Sequence, residues 1–491
     1  MKWFLLLLSI LAFPAKAEAL KVGSKRFTES YILGEILVRA AGEAVHRPGL
    51  GNTGIVYSAL KSGSIDVYPE YTGTIAKEIL KLEGHPSLVD LNRALAKQGI
   101  GVGVPLGFQN GYALAMREDR ARALGIRTLS DLGKHADLKL GLSQEFIGRA
   151  DGWPGLKAAY RLPFATPQGL DHGLAYEAIA AGRIDVMDIY TTDAKIGRYK
   201  LLALEDDRKY FPRYDAVLLY RLDLPKRFAE AWAKLQKLEG RIDEKQMIRL
   251  NAAAELDKRS FAEAAALFFN GKSGTDAGRT FLGTLFGADF WRLTGQHLLL
   301  VFASLAASIA AGIPLGVLAQ KVRALRQVIL GVVGVIQTIP SLALFAFLIA
   351  LMGTIGTVPA LVALFLYALL PIVSNTCTGL DAISLGMRQA ALALGLHPAE
   401  RLKLVELPLA LPSILAGIKT SAVINVGTAT IAAFVGAGGY GERIVSGLAL
   451  NDNVVLLAGA VPAAALALLV QGAFELGERR FGWMARARTS A

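Results

Sequence analysis

Cysteine is nearly absent from this chain. Of 491 residues only Cys377 is one, so no internal disulfide can staple the fold. It lies in an apolar run and reads as a small buried side chain. A phosphate loop of the form G-x-x-x-x-G-K-[ST] is also missing. Asn270-Gly271-Lys272-Ser273 has Ala266 where the first glycine is required, so the chain cannot be its own ATPase. There is no zinc-ligand spacing and no G-x-S-x-G elbow, and the six histidines are scattered. No metal, cofactor or catalytic residue is therefore expected, and the chain does not read as an enzyme. Charge is scarce too: 19% of residues against roughly 25% in an average soluble protein, with 53% hydrophobic. That excludes a disordered chain. The formal net charge of +12 comes without the basic stripe and interleaved aromatics that nucleic acid demands.

The scarcity is uneven. Glu18 to Leu293 holds 39 Lys+Arg and 34 Asp+Glu, an ordinary soluble complement, whereas Thr294 to Ala491 holds 12 and 7. Leu298 to Gln320 carries no charge, nor do the 54 residues from Gln327 to Leu380. Ile414 to Ala437 carries only Lys419, and Val454 to Phe474 carries none. With a turn at Gly353-Thr354-Ile355-Gly356-Thr357 dividing the long run, five spans are expected, each long enough to cross a bilayer. Ten of the twelve basic residues (Lys321, Arg323, Arg326, Arg388, Arg401, Lys403, Arg479, Arg480, Arg486, Arg488) fall on one side. That side is expected to be the cytoplasm, which leaves Arg443 opposite and the C-terminus inside. Residues 1–17 read as a secretory signal: Lys2, an apolar core from Trp3 to Phe13, and Ala15-Lys16-Ala17 before Glu18. Both arguments put the soluble half outside, with the chain in a bacterial inner membrane.

Between Leu20 and Asn270 short strands alternate with amphipathic helices, which predicts an α/β sandwich. Leu20-Lys21-Val22-Gly23 reads as a strand and Thr28 to Val45 as a helix. An internal repeat lies here. Tyr57 to Thr74 and Tyr176 to Asp193 match at 8 of 18 positions at an offset of 119. Each copy predicts a helix, a turn at Gly63 or Gly182, a strand, and a Tyr-Thr pair at the strand's carboxyl end. Ligands of open α/β sheets sit beyond such ends. Two copies predict two lobes, each presenting a tyrosine to a shared cleft. Residues 271–293, rich in glycine, read as a linker, so the organisation is 18–270, 271–293, 294–480 and a tail of 481–491.

Four tyrosines stand at suggestive places: Tyr71 and Tyr190 end the repeated strands, Tyr112 follows Phe108-Gln109-Asn110-Gly111, and Tyr214 precedes Asp215. Aromatic faces attract a quaternary ammonium, which cannot donate a hydrogen bond, at ~0.5–2 kcal/mol per contact. Tyrosines at strand ends are also often plain packing residues.

Five ordered motifs carry a resemblance. They are Gly23-Ser24-Lys25-Arg26-Phe27-Thr28-Glu29, Tyr68-Pro69-Glu70-Tyr71-Thr72-Gly73-Thr74, Gly107-Phe108 through Tyr112-Ala113-Leu114-Ala115, Arg149-Ala150-Asp151-Gly152, and Tyr190-Thr191-Thr192-Asp193. Over nearly all of residues 20–270 the chain is similar to the osmoprotectant-binding proteins of ABC importers, which capture glycine betaine, choline and carnitine. The resemblance implies a two-lobed periplasmic-binding-protein-like domain. It implies that Tyr71, Tyr112, Tyr190 and Tyr214 box the trimethylammonium group and that Lys25, Arg149 and Thr74 meet a carboxylate. Asn110 stands where some relatives have an aspartate. Further on, Gln389-Ala390-Ala391, Gly395, and Val405-Glu406-Leu407-Pro408 resemble the coupling-loop signature of ABC-importer permeases, with Gln389 in place of Glu and Val405 in place of Ile. The expected loop is a helix–turn–helix: Ala390 and Ala391 allow close approach, Gly395 makes the turn and Pro408 ends the second helix. The expected whole is a fused substrate-binding and all-α permease subunit (five spans) of an importer for quaternary amines. Its expected partners are a separate cytoplasmic ATPase pair and a second copy of itself, because five spans are too few for a pathway. The alternatives are another betaine-like metabolite such as ergothioneine, or a ligand sensor, for which no cytoplasmic output domain is visible.

Overall fold

The computed structural model describes residues 19–84, 86–165, 167, 169–270, 280–450 and 452–489. The secretory signal and the first part of the expected linker, 271–279, lie outside the described residues.

In the soluble half, a five-stranded sheet runs in the order β2-β1-β3-β10-β4, with β1 Leu20–Gly23, β2 Ala44–Arg47, β3 Val67–Tyr71, β4 Ile100–Gly103 and β10 Ala216–Arg221. β1 pairs in parallel with β2 and β3, and β10 runs antiparallel to β3 and β4. The second lobe has β5 Tyr112–Arg117 between β8 Val186–Tyr190 and β9 Leu201–Ala203, both antiparallel to it. A small parallel pair, β6 Leu142–Ser143 and β7 Gly169–Leu170, completes the lobe. The segments just before β5 and β10 meet, where Gln109 bridges Asp215 in antiparallel fashion.

The repeat has a physical basis. The Asp66 backbone donates to the Lys21 carbonyl and its carboxylate accepts the Lys21 N–H at 2.9 Å. Asp185 does the same with Lys139, also at 2.9 Å. Each Asp thus clasps its repeated strand to a neighbour, and the preceding Gly63 and Gly182 take φ of +75° and +66°, a region that favours glycine. The first helix is shorter than expected. It spans Thr28–Ala41 and stops at Gly42, with φ +92°. Ala44–Arg47 is then a strand, because pairing with β1 overrides the helical spacing.

Among the described residues four helices are long and apolar enough to cross a membrane: Phe290–Lys321, Thr357–Asp381, Pro398–Ala429 and Asn453–Gly477. A fifth crossing is possible if Arg323–Thr338 and Ser341–Met352, bent by 104° around Pro340, form one span. Glycines let these helices meet. A methyl at Gly312 would lie 2.8 Å from Ile372, at Gly316 2.6 Å from Thr376, and at Gly417 2.6 Å from the Pro371 carbonyl. Asn425 donates to Ser304 at 3.0 Å and Ser421 to the Ala368 carbonyl at 2.7 Å.

Two more expectations need correction. The later part of the expected linker is structured: Thr280 caps a short helix, Phe281–Leu285, and the first membrane helix already begins at Phe290. The buried Arg443 holds this segment by donating to the Leu285 carbonyl at 2.8 Å and to Asp289 at 2.6 Å. Pro408 does not end a helix. It stands in the first turn of Leu407–Ala429, which continues from Pro398–Arg401 through a π-helical turn, Leu402–Glu406. The π turn re-registers the ladder, and a proline at a helix start removes no needed donor. The glycine segment 436–441 leads into a short helix, Gly441–Leu450, that packs back on Asn453–Thr489.

The two halves touch. The Arg26 guanidinium lies 4.8 Å from the Phe434 ring centroid. Lys258 donates to the Leu450 carbonyl at 2.7 Å. Leu450 itself joins the buried apolar cluster of the soluble half, and Ile355 packs against the cluster around Leu50 and Val56.

Candidate functional site: an aromatic cage between the lobes

The carboxyl ends of β3 and β8 deliver Tyr71 and Tyr190, as the repeat predicts. Tyr112 starts β5 directly opposite Tyr190 in the antiparallel register, and Tyr214 lies just before β10. The ring centroids of Tyr112 are 5.1 Å from Tyr190 and 5.8 Å from Tyr214, the latter edge-on at 80°. Phe27 closes the gap that the sequence reading left, 5.6 Å from Tyr190 and 6.3 Å from Tyr71. The five rings form an arc around a cavity of about 20 Å³, room for about one water.

All eight expected site residues (Lys25, Tyr71, Thr74, Asn110, Tyr112, Arg149, Tyr190 and Tyr214) line this one cavity, together with Phe27 and Glu145. Phe27 was readable in principle: it sits inside the first motif, at the N-cap position of its helix, where it makes no side-chain cap. Glu145 gave no such signal.

The two cations are not free. Lys25 Nζ donates to Glu70 at 2.6 Å in a fully buried pair, and lies 5.3 Å and 5.5 Å from the centroids of Tyr71 and Phe27. Arg149 grips Asp151 with Nε at 2.8 Å and Nη2 at 2.6 Å, reaches Thr74 at 3.4 Å, and lies 5.2 Å from the Tyr112 centroid. Tyr214 donates to the same Asp151 at 2.8 Å. The protein's own cations thus face the rings, and its own carboxylates face the cations. Gly152 is fixed by this turn, since a methyl there would lie 2.0 Å from the Phe146 carbonyl oxygen.

From the cage mouth a larger cavity of about 630 Å³ extends toward the membrane half. Lys25, Arg149 and Tyr190 border it on one side and Phe434, Val445 and Leu448 on the other.

The second group of expected residues gathers at one end of the membrane half. Gln389, Ala390 and Ala391 lie on the helix Leu385–Ala393, capped by Ser384. Gly395 turns the chain at φ +76°. Val405 lies in the π turn, and Leu407 and Pro408 open the next helix. Arg401 pairs with Glu406 at 3.0 Å and braces the turn. Around it Leu385, Leu392, Leu394 and Leu404 are exposed.

Residues 18–270 match the family described as the substrate binding domain of ABC-type glycine betaine transport systems. Residues 312–483 match the binding-protein-dependent transport system inner membrane component. The ergothioneine transport permease/ergothioneine binding protein of Helicobacter pylori is 36% identical over 272 residues, 52% of this chain and 49% of that protein, so the chain aligns with about half of its length. The choline transport system permease protein OpuBB of Bacillus subtilis is 40% identical over 194 residues, 40% of this chain and 89% of that one. The glycine-betaine-binding protein of Pseudomonas aeruginosa is 31% identical over 274 residues, 52% of this chain and 88% of that one.

Proposed function

Because this chain belongs to the family of ABC-type glycine betaine transport systems, with substrate-binding domain and permease in one polypeptide, we propose that it imports quaternary-ammonium osmoprotectants of the glycine betaine, choline or carnitine class. The observation that carries this reading is the convergence of Tyr71, Tyr112, Tyr190, Tyr214 and Phe27 on one cavity flanked by Lys25 and Arg149. Five ring faces suit a trimethylammonium group; two cations and Thr74 suit a carboxylate at the other end. Ligand entry requires the lobes to part, because the cavity is far smaller than a trimethylammonium group. Closure then presents the ligand to the larger cavity that leads to the permease. A separate cytoplasmic ATPase pair docks at Gln389 to Pro408, where the exposed leucines offer an apolar surface, and drives alternating access in a permease homodimer. The soluble half lies outside the bacterial inner membrane and the C-terminus inside.

The decisive experiment is calorimetric titration of the full chain in lipid nanodiscs with glycine betaine, choline, carnitine and ergothioneine. The tightest binding is expected for one of the first three. A second reading, ergothioneine, is favoured by the fused relative from Helicobacter pylori; ergothioneine binding tenfold tighter than the rest would establish it instead. Absence of binding to all four would refute both.

A further inference from the structure

Behind the cage, outside its cavity, sits Glu29. It is 2% exposed and lies in the first turn of the helix Thr28–Ala41, where the helix dipole favours negative charge. Four neutral side chains end on it. The Tyr71 hydroxyl donates to Oε1 at 2.6 Å and Asn110 Nδ2 donates to it at 2.9 Å. The Thr192 hydroxyl donates to Oε2 at 2.5 Å and Asn251 Nδ2 at 3.0 Å. Asn251 Nδ2 also reaches the Thr192 carbonyl at 3.0 Å, an oxygen that can only accept, so the amide is fixed as a donor. Burial raises the Glu29 carboxyl above the usual carboxylate range, against the four hydrogen bonds, which pull it down. Four donors on two oxygens match the accepting capacity of an ionised carboxylate.

Two cage residues depend on this anion. The Tyr71 ring lines the cavity while its hydroxyl donates to Glu29. A phenol that donates to a carboxylate gains electron density in its ring, and a richer ring face holds a cation more strongly. The Asn110 amide nitrogen is held by Glu29, so its Oδ1 is the polar atom left over. That oxygen is buried and has no hydrogen-bond partner among the described residues, although Asn110 lines the cavity. An acceptor in that position suits the polarised methyl groups of a quaternary ammonium. Tyr214 repeats the device with Asp151, but there Arg149 cancels the charge.

We propose that Glu29 is the positioning residue of the cage: a buried anion that the ligand does not touch, which enriches the Tyr71 ring, turns the Asn110 carbonyl oxygen to the cavity and so sets the preference for a cation. This rests on the quaternary-ammonium reading above.

The test separates charge from shape. Full chain in nanodiscs is titrated with glycine betaine and with tert-butylacetate, which has the same outline and carboxylate but a carbon in place of the ammonium nitrogen. In Glu29→Gln the preference for glycine betaine over tert-butylacetate should fall about tenfold, one favourable cation–ring contact converted at ~1.4 kcal/mol per decade, with tert-butylacetate affinity held within about twofold. Tyr71→Phe keeps the ring and cuts its link to Glu29; the same preference should fall in the same direction, by less, and this variant decides the matter if Glu29→Gln does not fold. An equal loss for both ligands, or an unchanged preference in a folded variant, overturns the proposal. A wild-type protein that shows no preference for the cation overturns the quaternary-ammonium reading itself, which is a different result.

Discussion

His172 illustrates how much a single side chain at the cage edge can report. Its ring lies 4.7 Å from that of Tyr190, its Nε2 2.8 Å from Asp193 and its Nδ1 3.9 Å from Asp188. Burial alone lowers its pKa, but Asp193, Asp188 and Glu255 outweigh burial and hold it up at about 9. The other groups facing this cluster are Tyr176, which shares Asp193 at 2.7 Å, and Lys195, 5.4 Å from the Tyr176 ring. A folded-state pKa above the unfolded value of ~6.5 means that the stabilisation is complete below pH ~6.5 and is lost as pH rises through 9. Thermal scans of the full chain should show a melting temperature that falls by a few degrees across that window, and His172→Asn should flatten the fall; a flat wild-type profile would contradict it. Glu255, raised by burial to about 6, acts in the same direction but in the more acid window. At the cage itself, Tyr190→Ala should weaken glycine betaine binding by about tenfold or more in calorimetry, the loss of one or more ring contacts. The repeat made Tyr71 and Tyr190 legible, because two copies of one local pattern need no knowledge of the fold. Glu29 carried no such mark. Its partners Thr192 and Asn251 lie 163 and 222 residues away, and only the closed chain brings them together.

At the scale of elements, the legible features were those written into local chemistry. Uncharged runs marked the membrane helices, and Gly353 with φ +64° divides the long run where a turn was expected. The 104° bend at Pro340 was not legible, since proline in a membrane helix kinks by anything from a little to a break. The strand at Ala44–Arg47 was hidden for the opposite reason: its spacing continues the helix, and its pairing partner β1 lies over twenty residues earlier. Pro408 misled because the π turn before it is a property of backbone packing, to which no residue type is dedicated. Gly395 is the element-scale residue with the sharpest consequence. Its φ of +76° is strained for any side chain bearing a Cβ, and nothing lies within 4 Å of a Cβ placed there, so the cost falls on the turn alone. Gly395→Glu should therefore leave glycine betaine affinity within about twofold of wild type while ATP-driven uptake in proteoliposomes drops by about tenfold or more. Uptake that persists at the wild-type rate would remove the loop from the coupling mechanism.

At the scale of the whole molecule, the receptor half rests on its own permease half. Arg26 over Phe434, Lys258 on the Leu450 carbonyl and Leu450 in the soluble-half core form one contact surface around the larger cavity. Composition foretold two halves but not their docking, because each contact joins one residue from either side of the 271–279 segment and none has a local pattern. Phe434 lines the cavity without touching the cage. Phe434→Ala should accordingly slow uptake several-fold while glycine betaine binding to the same preparation stays unchanged. Equal losses in uptake and binding would mean that Phe434 shapes the cage from a distance.

The pairing of Lys25 with Glu70 and of Arg149 with Asp151 has one further consequence. Each buried cation already faces a ring and already holds a carboxylate. A zwitterion entering the cage offers the same two kinds of contact, so capture is an exchange of like for like between guest and host. Both the old and the new pairs are shielded from solvent ions. Surface electrostatics weaken steeply between ~0.1 M and ~1 M salt as the Debye length shrinks from ~10 Å to ~3 Å. Buried pairs are screened far less than surface ones, so glycine betaine affinity is expected to hold between those salt concentrations in calorimetry.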